Sequence, residues 1–271
     1  MKEIESSNRL YEDAGALYMT ITVVTGLDTS LAENSQITFI LNKERLITNR
    51  YVDPLPFRRF IAYAEKHPAV CTSPSSLLAG LIEAIINRMA DVLERVGGDL
   101  DQLSSEVFAP ANGRRSARRA SSDSRAFLAR VGQNGDLNSK TRESLVSLGR
   151  LLAFAQQSPL VPMQNDVRAR FRTLSRDVLA LTDHASYLGN KATFLLEATL
   201  GLINVEQNNI IKIFSIVSVM LMPPTLVASI YGMNFNFMPE LHWPFGYPFA
   251  LLLMVISGVI PYVFFKRRGW L

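Results

Sequence analysis

The 271-residue chain is 48% hydrophobic and 19% charged, with mean hydropathy +0.13, which is apolar for a soluble protein whose charged fraction approaches ~25%. Cys71 is the only cysteine, so an intrachain disulfide, a CxxC metal knuckle and a paired-thiol redox site are all excluded. A net charge of +4 with pI near 9.3 suits an anionic surface but demands neither lipid nor nucleic acid.

The N-terminal stretch "MKEIESSNRLYEDAGALYM" has no basic segment followed by an apolar one, so it does not read as a secretory signal, and the first half is expected to stay in the cytoplasm. Residues Ala16 to Thr25 and Ile37 to Tyr51 are β-branched and alternating, with Asn42 to Glu44 as a hairpin turn, and predict a small sheet. A short helix follows at Pro56 to His67, its proline near the start. Ser73 to Phe108 places apolar residues at three- and four-residue spacing over many turns, which predicts a long amphipathic helix. The arginine-rich run Asn112 to Arg125 interleaves no aromatic residue for base stacking, so it reads as a solvated loop and carries no nucleic-acid site. A further helix is expected over Ser139 to Phe154, and another begins near Asn165 and meets no proline before Pro223. That last helix reads as a stalk running from the cytosol into the membrane.

Between Lys212 and Lys266 the only formal charge is Glu240. Ile213 to Ile230 gives 18 uncharged residues and Pro244 to Phe265 gives 22, each near the ~20 that a helix needs to cross the hydrocarbon layer. Both read as transmembrane helices. Lys212 precedes the first, Lys266, Arg267 and Arg268 follow the second, and the connecting loop has no Lys or Arg, so both ends are expected on the cytoplasmic side. Trp243, Tyr247, Tyr231 and Trp270 fit interfacial aromatic belts.

Enzyme signatures are lacking: no GxSxG, P-loop or GxGxxG occurs, and His67, His184 and His242 form no HExxH or HxH pair. No catalytic residue is assigned. Asp91, Asp99, Asp101, Asp177 and Asp183 read as solvated helix faces, although any of them could meet a divalent ion at a subunit seam. In the first span, stepping back from Asn234 at helical spacing gives Ser229, Thr225, Met222, Ser218, Phe214 and Ile211, with hydroxyls toward the outer half and bulky apolar groups toward the cytoplasm. Such a stripe serves equally as helix-packing glue. Pro223 and Pro224 free carbonyls a turn earlier, near Val219 and Met220, which lipid does not tolerate unless protein or water covers them. A two-helix hairpin cannot enclose an aqueous path alone, so conduction would require several copies around an axis.

The ordered set "YGMNF" (Tyr231 to Phe235), "MPEL" (Met238 to Leu241), "GYP" (Gly246 to Pro248) and the ending "FFKRRGWL" resembles the CorA family of divalent-cation transporters, with close likeness over Asn204 to Leu271. The resemblance implies a homopentamer in the lipid membrane, a funnel-shaped cytosolic region, a pore lined by the first transmembrane helix, and Mg²⁺ as principal substrate, with Co²⁺ and Ni²⁺ also carried. By motif, Gly232, Met233 and Asn234 correspond to the outer selectivity filter, and Asn208, Ile211, Phe214, Ser218, Met222 and Thr225 fall at pore-lining positions. Asn234 suits the task because Mg²⁺ gives up its water reluctantly, and a ring of neutral amides can bond that water shell without trapping the ion. Glu240 in the external loop would raise the local cation concentration or accept a loop hydrogen bond. Mg²⁺ is also implied as a regulatory ligand between cytosolic domains, with Asp177 and Asp183 as candidates. No organic cofactor is implied.

The expected fold is an α+β membrane protein: an N-terminal cytosolic α/β and helical domain over residues 1–164, a stalk helix over 165–209, a pore helix over 210–234, an external loop over 235–247, a second span over 248–265 and a basic tail over 266–271. Family members carry more chain before the first segment, so this sequence is expected to begin inside the cytosolic domain with its sheet incomplete. The expected function is passive influx of Mg²⁺ through the bacterial inner membrane. Two alternatives remain at this stage: a zinc-transporting relative, against which Met233 argues, and a non-conducting helical scaffold.

Overall fold

The computed structural model describes residues 9–26, 32–68, 71–108, 117–160, 163–234, 238–239 and 243–270, with the backbone alone over 117–124. Four strands, β1 (Leu10–Asp13), β2 (Ala16–Thr25), β3 (Glu33–Leu41) and β4 (Leu46–Arg50), pair antiparallel in chain order, and α1 (Leu55–Lys66), α2 (Pro74–Phe108), α3 (Ala117–Gln157), α4 (Asn165–Tyr231) and α5 (Gly246–Arg267) follow. The chain divides into one unit over Met1–Thr199 and a second over Leu200–Leu271, and α4 contributes residues to both.

In the first unit, register pairs Leu17 with Leu41, Met19 with Phe39 and Ile21 with Ile37. Period-two alternation therefore puts these six fully buried side chains on one face of the sheet. The β3–β4 hairpin closes as expected at Asn42, whose side-chain oxygen accepts the backbone N–H groups of Glu44 at 2.9 Å and Arg45 at 2.6 Å. Pro56 opens α1, and Phe57 stacks on Phe39 with ring centroids 6.1 Å apart. Leu78, Ile82, Ile85, Met89, Val92, Val96 and Leu100 give α2 one buried stripe. Phe171, Leu174, Val178, Ala185, Leu188, Ala192 and Leu195 give the first part of α4 another. Arg130 of α3 pairs with Glu106 of α2, and Gln156 donates to Ser175 of α4, so α3 runs antiparallel to both neighbours.

Two elements depart from expectation. β1, which composition does not announce, pairs with β2 through Leu10–Met19 to Asp13–Ala16. The arginine-rich run is helical from Ala117 onward rather than a loop, because α3 extends some twenty residues before the apolar periodicity that marks its second half. Residues 109–116 lie outside the described residues.

β1 reaches only as far as Met19, so the edge of β2 beyond it needs other partners for its N–H groups. Thr20 N–H finds the Arg9 carbonyl at 2.9 Å. Thr22 N–H donates to Ser147 Oγ at 3.0 Å and Val24 N–H to Ser144 Oγ at 2.9 Å, so two buried serines one turn apart on α3 act in place of a neighbouring strand. Losing one acceptor leaves a buried N–H unpaired, which costs about 1–3 kcal/mol. Ser144→Ala and Ser147→Ala are therefore expected to lower the thermal midpoint of the detergent-purified chain, whereas Ala at exposed Ser139 leaves it within error.

Candidate functional site

The second unit holds two helices long and apolar enough to cross a membrane, α5 and the C-terminal part of α4. Along α4, Ile216 is buried and Met220, Pro223, Pro224 and Val227 are half-buried; along α5, Ala250 is buried and Met254, Ser257, Gly258, Pro261 and Phe265 are half-buried. Both sets recur at three- and four-residue spacing, so each helix turns one face to the other. The helices approach closely at Gly258, since a Cβ there would lie 3.3 Å from Pro224 Cγ and 3.7 Å from the Met220 carbonyl oxygen. The Met220 carbonyl is one of the two that the prolines deprive of a helical donor, and the side-chain-free face of Gly258 covers it.

At 3.6 residues per turn, Ile211, Phe214, Ser218, Met222 and Thr225 centre about 180° around α4 from this packed face. Phe214 is 71% and Met222 74% exposed, and Ile211, Ser218 and Thr225 are exposed beside them. The sequence-derived stripe is therefore the face of α4 that α5 leaves open. Asn208 is exposed toward one edge of it. Ser218 Oγ donates to the Phe214 carbonyl at 2.9 Å and Thr225 Oγ1 to that of Leu221 at 2.7 Å. Each hydroxyl thus uses its one proton on its own helix and offers only lone pairs outward.

The helix ends at Tyr231, where Gly232 N–H bonds the Ala228 carbonyl at 2.9 Å and Met233 N–H that of Ile230 at 3.3 Å. A Cβ on Gly232 would come within 3.1 Å of the Ala228 oxygen, so the tight exit from the helix favours glycine. Gly232, Met233 and Asn234 are exposed in sequence immediately past this end. The negative end of the α4 dipole falls at the same place and favours a cation there. Glu240, with 235–237 and 240–242, lies outside the described residues; the loop is described again from Trp243, whose ring meets Phe249 edge-on at 6.0 Å. Asp177, Asp183 and His184 are exposed on the first-unit part of α4. Among the described residues, no three His, Cys, Asp or Glu side chains gather where they could hold a metal ion.

Residues 2–267 match the family described as CorA-like Mg²⁺ transporter protein. The chain belongs to this family. "Magnesium transport protein CorA" of Yersinia pseudotuberculosis is 38% identical over all 271 residues, which span 83% of that relative, and the protein of the same description from Escherichia coli K12 is 37% identical over the same shares. Among solved structures, the complete CorA magnesium transporter of Methanocaldococcus jannaschii superposes with TM-score 0.79 at 20% identity, covering 97% of this chain and 80% of that one. The full-length CmaX protein superposes with TM-score 0.71 at 16% identity, covering 98% and 78%. At these identities the superpositions speak for the fold: a small sheet, long helices and an apolar C-terminal hairpin, as the CorA resemblance implied.

Sequence reasoning singled out the stripe and the tripeptide but missed Gly258. A lone glycine in an apolar span carries no periodic signal, and its contact with Pro224 is visible only once the helices are paired. Replacing Gly258 with Val forces methyl groups against Pro224, and overpacking of this kind costs typically about 1–3 kcal/mol. Gly258→Val is expected to lower thermal stability in detergent, with Gly258→Ala milder, as read by size-exclusion recovery after heating.

Proposed function

We propose that this protein is a channel-type Mg²⁺ transporter whose copies line a central pathway with the 211–225 stripe of α4. The observation that carries the reading is the open stripe, opposite the face that packs on α5 and on the same helix whose end is followed by Gly232, Met233 and Asn234. The names of its full-length relatives supply the ion. A stripe with hydroxyls cannot face hydrocarbon cheaply, and a second hairpin is the available cover, so the functional form is a homo-oligomer, which we take to be a homopentamer.

Around such an axis, Asn234 amides form the outer ring and bond the water shell of Mg²⁺. Thr225 and Ser218 follow with lone pairs turned inward, which suits a hydrated cation because its first-shell waters donate outward. Met222, Phe214 and Ile211 supply an apolar constriction able to gate by dewetting, and Asn208 lies beyond it. Glu240 raises the cation concentration outside. A membrane potential of 100 mV is worth ~2.3 kcal/mol per charge, hence ~4.6 kcal/mol for a divalent ion, so no nucleotide is required.

The charge asymmetry sets both termini in the cytoplasm of a bacterial cell, with the protein in the inner membrane. Residues 1–164 then form the cytosolic domain, 165–209 the stalk, 210–234 the pore span, 235–247 the external loop, 248–265 the second span and 266–271 the basic tail. Co²⁺ and Ni²⁺ are further substrates, and Mg²⁺ also acts as a regulatory ligand on the cytosolic domains.

Two measurements test this. Proteoliposomes of the full chain are expected to take up Mg²⁺, to be blocked by hexaamminecobalt(III), a mimic of the hydrated ion, and to lose selectivity or flux in Asn234→Ala. Wild-type flux at the level of empty vesicles, or Asn234→Ala indistinguishable from wild type, overturns the pathway and leaves the scaffold reading; flux of Zn²⁺ in preference to Mg²⁺ moves the protein to the zinc branch. The mass of the detergent-solubilised particle is expected to be about five times that of one chain, and a monomer refutes the pore.

A further inference from the structure

The last turn of α5 does not fray into a flexible tail. Gly269 sits at φ +69°, its N–H bonds the Lys266 carbonyl at 3.2 Å, and Trp270 N–H bonds the Phe265 carbonyl at 3.0 Å. This is the paired bonding of a Schellman cap, completed by its usual hydrophobic contact, here Trp270 stacked on Phe265 with centroids 5.6 Å apart. The cap folds the indole back toward α4, where the Lys212 ammonium lies 5.8 Å from its ring centroid. Lys266 lies 5.8 Å over Tyr262, and the Arg268 guanidinium 5.0 Å over Phe264. Lys212, Lys266 and Arg268 thus lie against aromatic rings at one end of the hairpin, with Arg267 exposed between the last two in sequence. Among the described residues none of the four makes an ion pair with a carboxylate.

Four cations at one end of the hairpin, with no acidic partner among the described residues, call for an anion. Lys212 is half-buried on the side of α4 that carries Ile216 and Met220, turned toward α5 and away from the open stripe. If the stripe faces the central pathway, as proposed above and as this inference assumes, α5 and its cap lie at the periphery, where the apolar spans end and headgroups begin. We propose that Lys212 and the capped tail form a binding site for the phosphate of an anionic phospholipid in the cytoplasmic leaflet. Basic side chains fixed at the leaflet surface attract anionic headgroups, and the indole of Trp270, amphipathic and immobilised, sits at the depth of the glycerol region. The site is specific because the cap orders it before any lipid arrives, so little side-chain freedom is lost on binding.

The chain has two tryptophans, Trp243 and Trp270. The Trp243→Phe variant of the whole 271-residue chain therefore carries a single tryptophan, inside the site, that can be excited selectively over its tyrosines. Reconstituted in phosphatidylcholine vesicles with equal mole fractions of brominated phosphatidylglycerol or brominated phosphatidylcholine, it is expected to be quenched by the anionic lipid with a relative affinity several-fold above that of the zwitterionic one. Adding Lys212→Gln and Arg268→Gln is expected to bring the two quenching curves together, while Lys212→Arg keeps them apart. Equal quenching in the Trp243→Phe background, or a preference that survives the double glutamine substitution, overturns the site. Mg²⁺ flux recorded in the same vesicles separates the two proposals: flux without lipid preference refutes the lipid site alone, and lipid preference without flux refutes the channel while upholding the site.

Discussion

The contact of Gly258 with Pro224 and the Met220 carbonyl decides which face of α4 meets α5, and so decides which face is left over. In hydrocarbon there is no water to satisfy a carbonyl released by proline, and the double proline releases two. A glycine on the neighbouring helix lets the backbone come close enough to shield one of them, at a point where a large side chain would hold it off. With that face committed, Ile211, Phe214, Ser218, Met222 and Thr225 are left exposed on the side of α4 turned away from α5. The hydroxyl lone pairs of that face point away from α5, and the assembly proposed above rests on covering them.

The chemistry of the leftover face is sparse in a way that supports the proposed pathway. Hydroxyls that donate to their own helix present acceptors only, and a neutral amide past the helix end presents both kinds of group. Neither competes with water for the inner coordination of Mg²⁺, whose preference for near-ideal octahedral oxygen makes direct ligation slow to reverse. In the pathway proposed above, attraction comes diffusely from the α4 dipole and the membrane potential, and discrimination locally from how well the water shell is bonded.

Much of this was legible in the sequence because periodicity is a local property. The alternation of Ala16 to Thr25, the turn at Asn42, the apolar stripe of α2 and the start of α4 at Asn165 all appear where the residues put them. The stripe from Ile211 to Thr225 was readable for the same reason, since helical spacing alone places those residues on one side. What composition concealed was decided by distant partners. Ser144 and Ser147 read as ordinary polar positions in a helix, and only the short reach of β1 makes them acceptors for β2. The early part of α3 has an arginine- and serine-rich composition that resembles a loop, yet its backbone is helical. β1 is four residues long and mostly exposed, too short for alternation to speak.

The same division between local and distant causes explains how the hairpin keeps its register. α4 is unbroken from Asn165 to Tyr231, so nothing in its own backbone marks where the membrane begins. α5, at 22 residues, is ~33 Å long and matches the hydrocarbon thickness closely. It therefore acts as the ruler. Two contacts transfer its position to α4, one at Gly258 and one at the capped end, where Trp270 meets Lys212. A slip of one turn, ~5.4 Å, would bring a bulkier residue than Gly258 opposite Pro224 and part Lys212 from the indole. Both errors are costly, so the depth of the open stripe is set by a helix that contributes no residue to it.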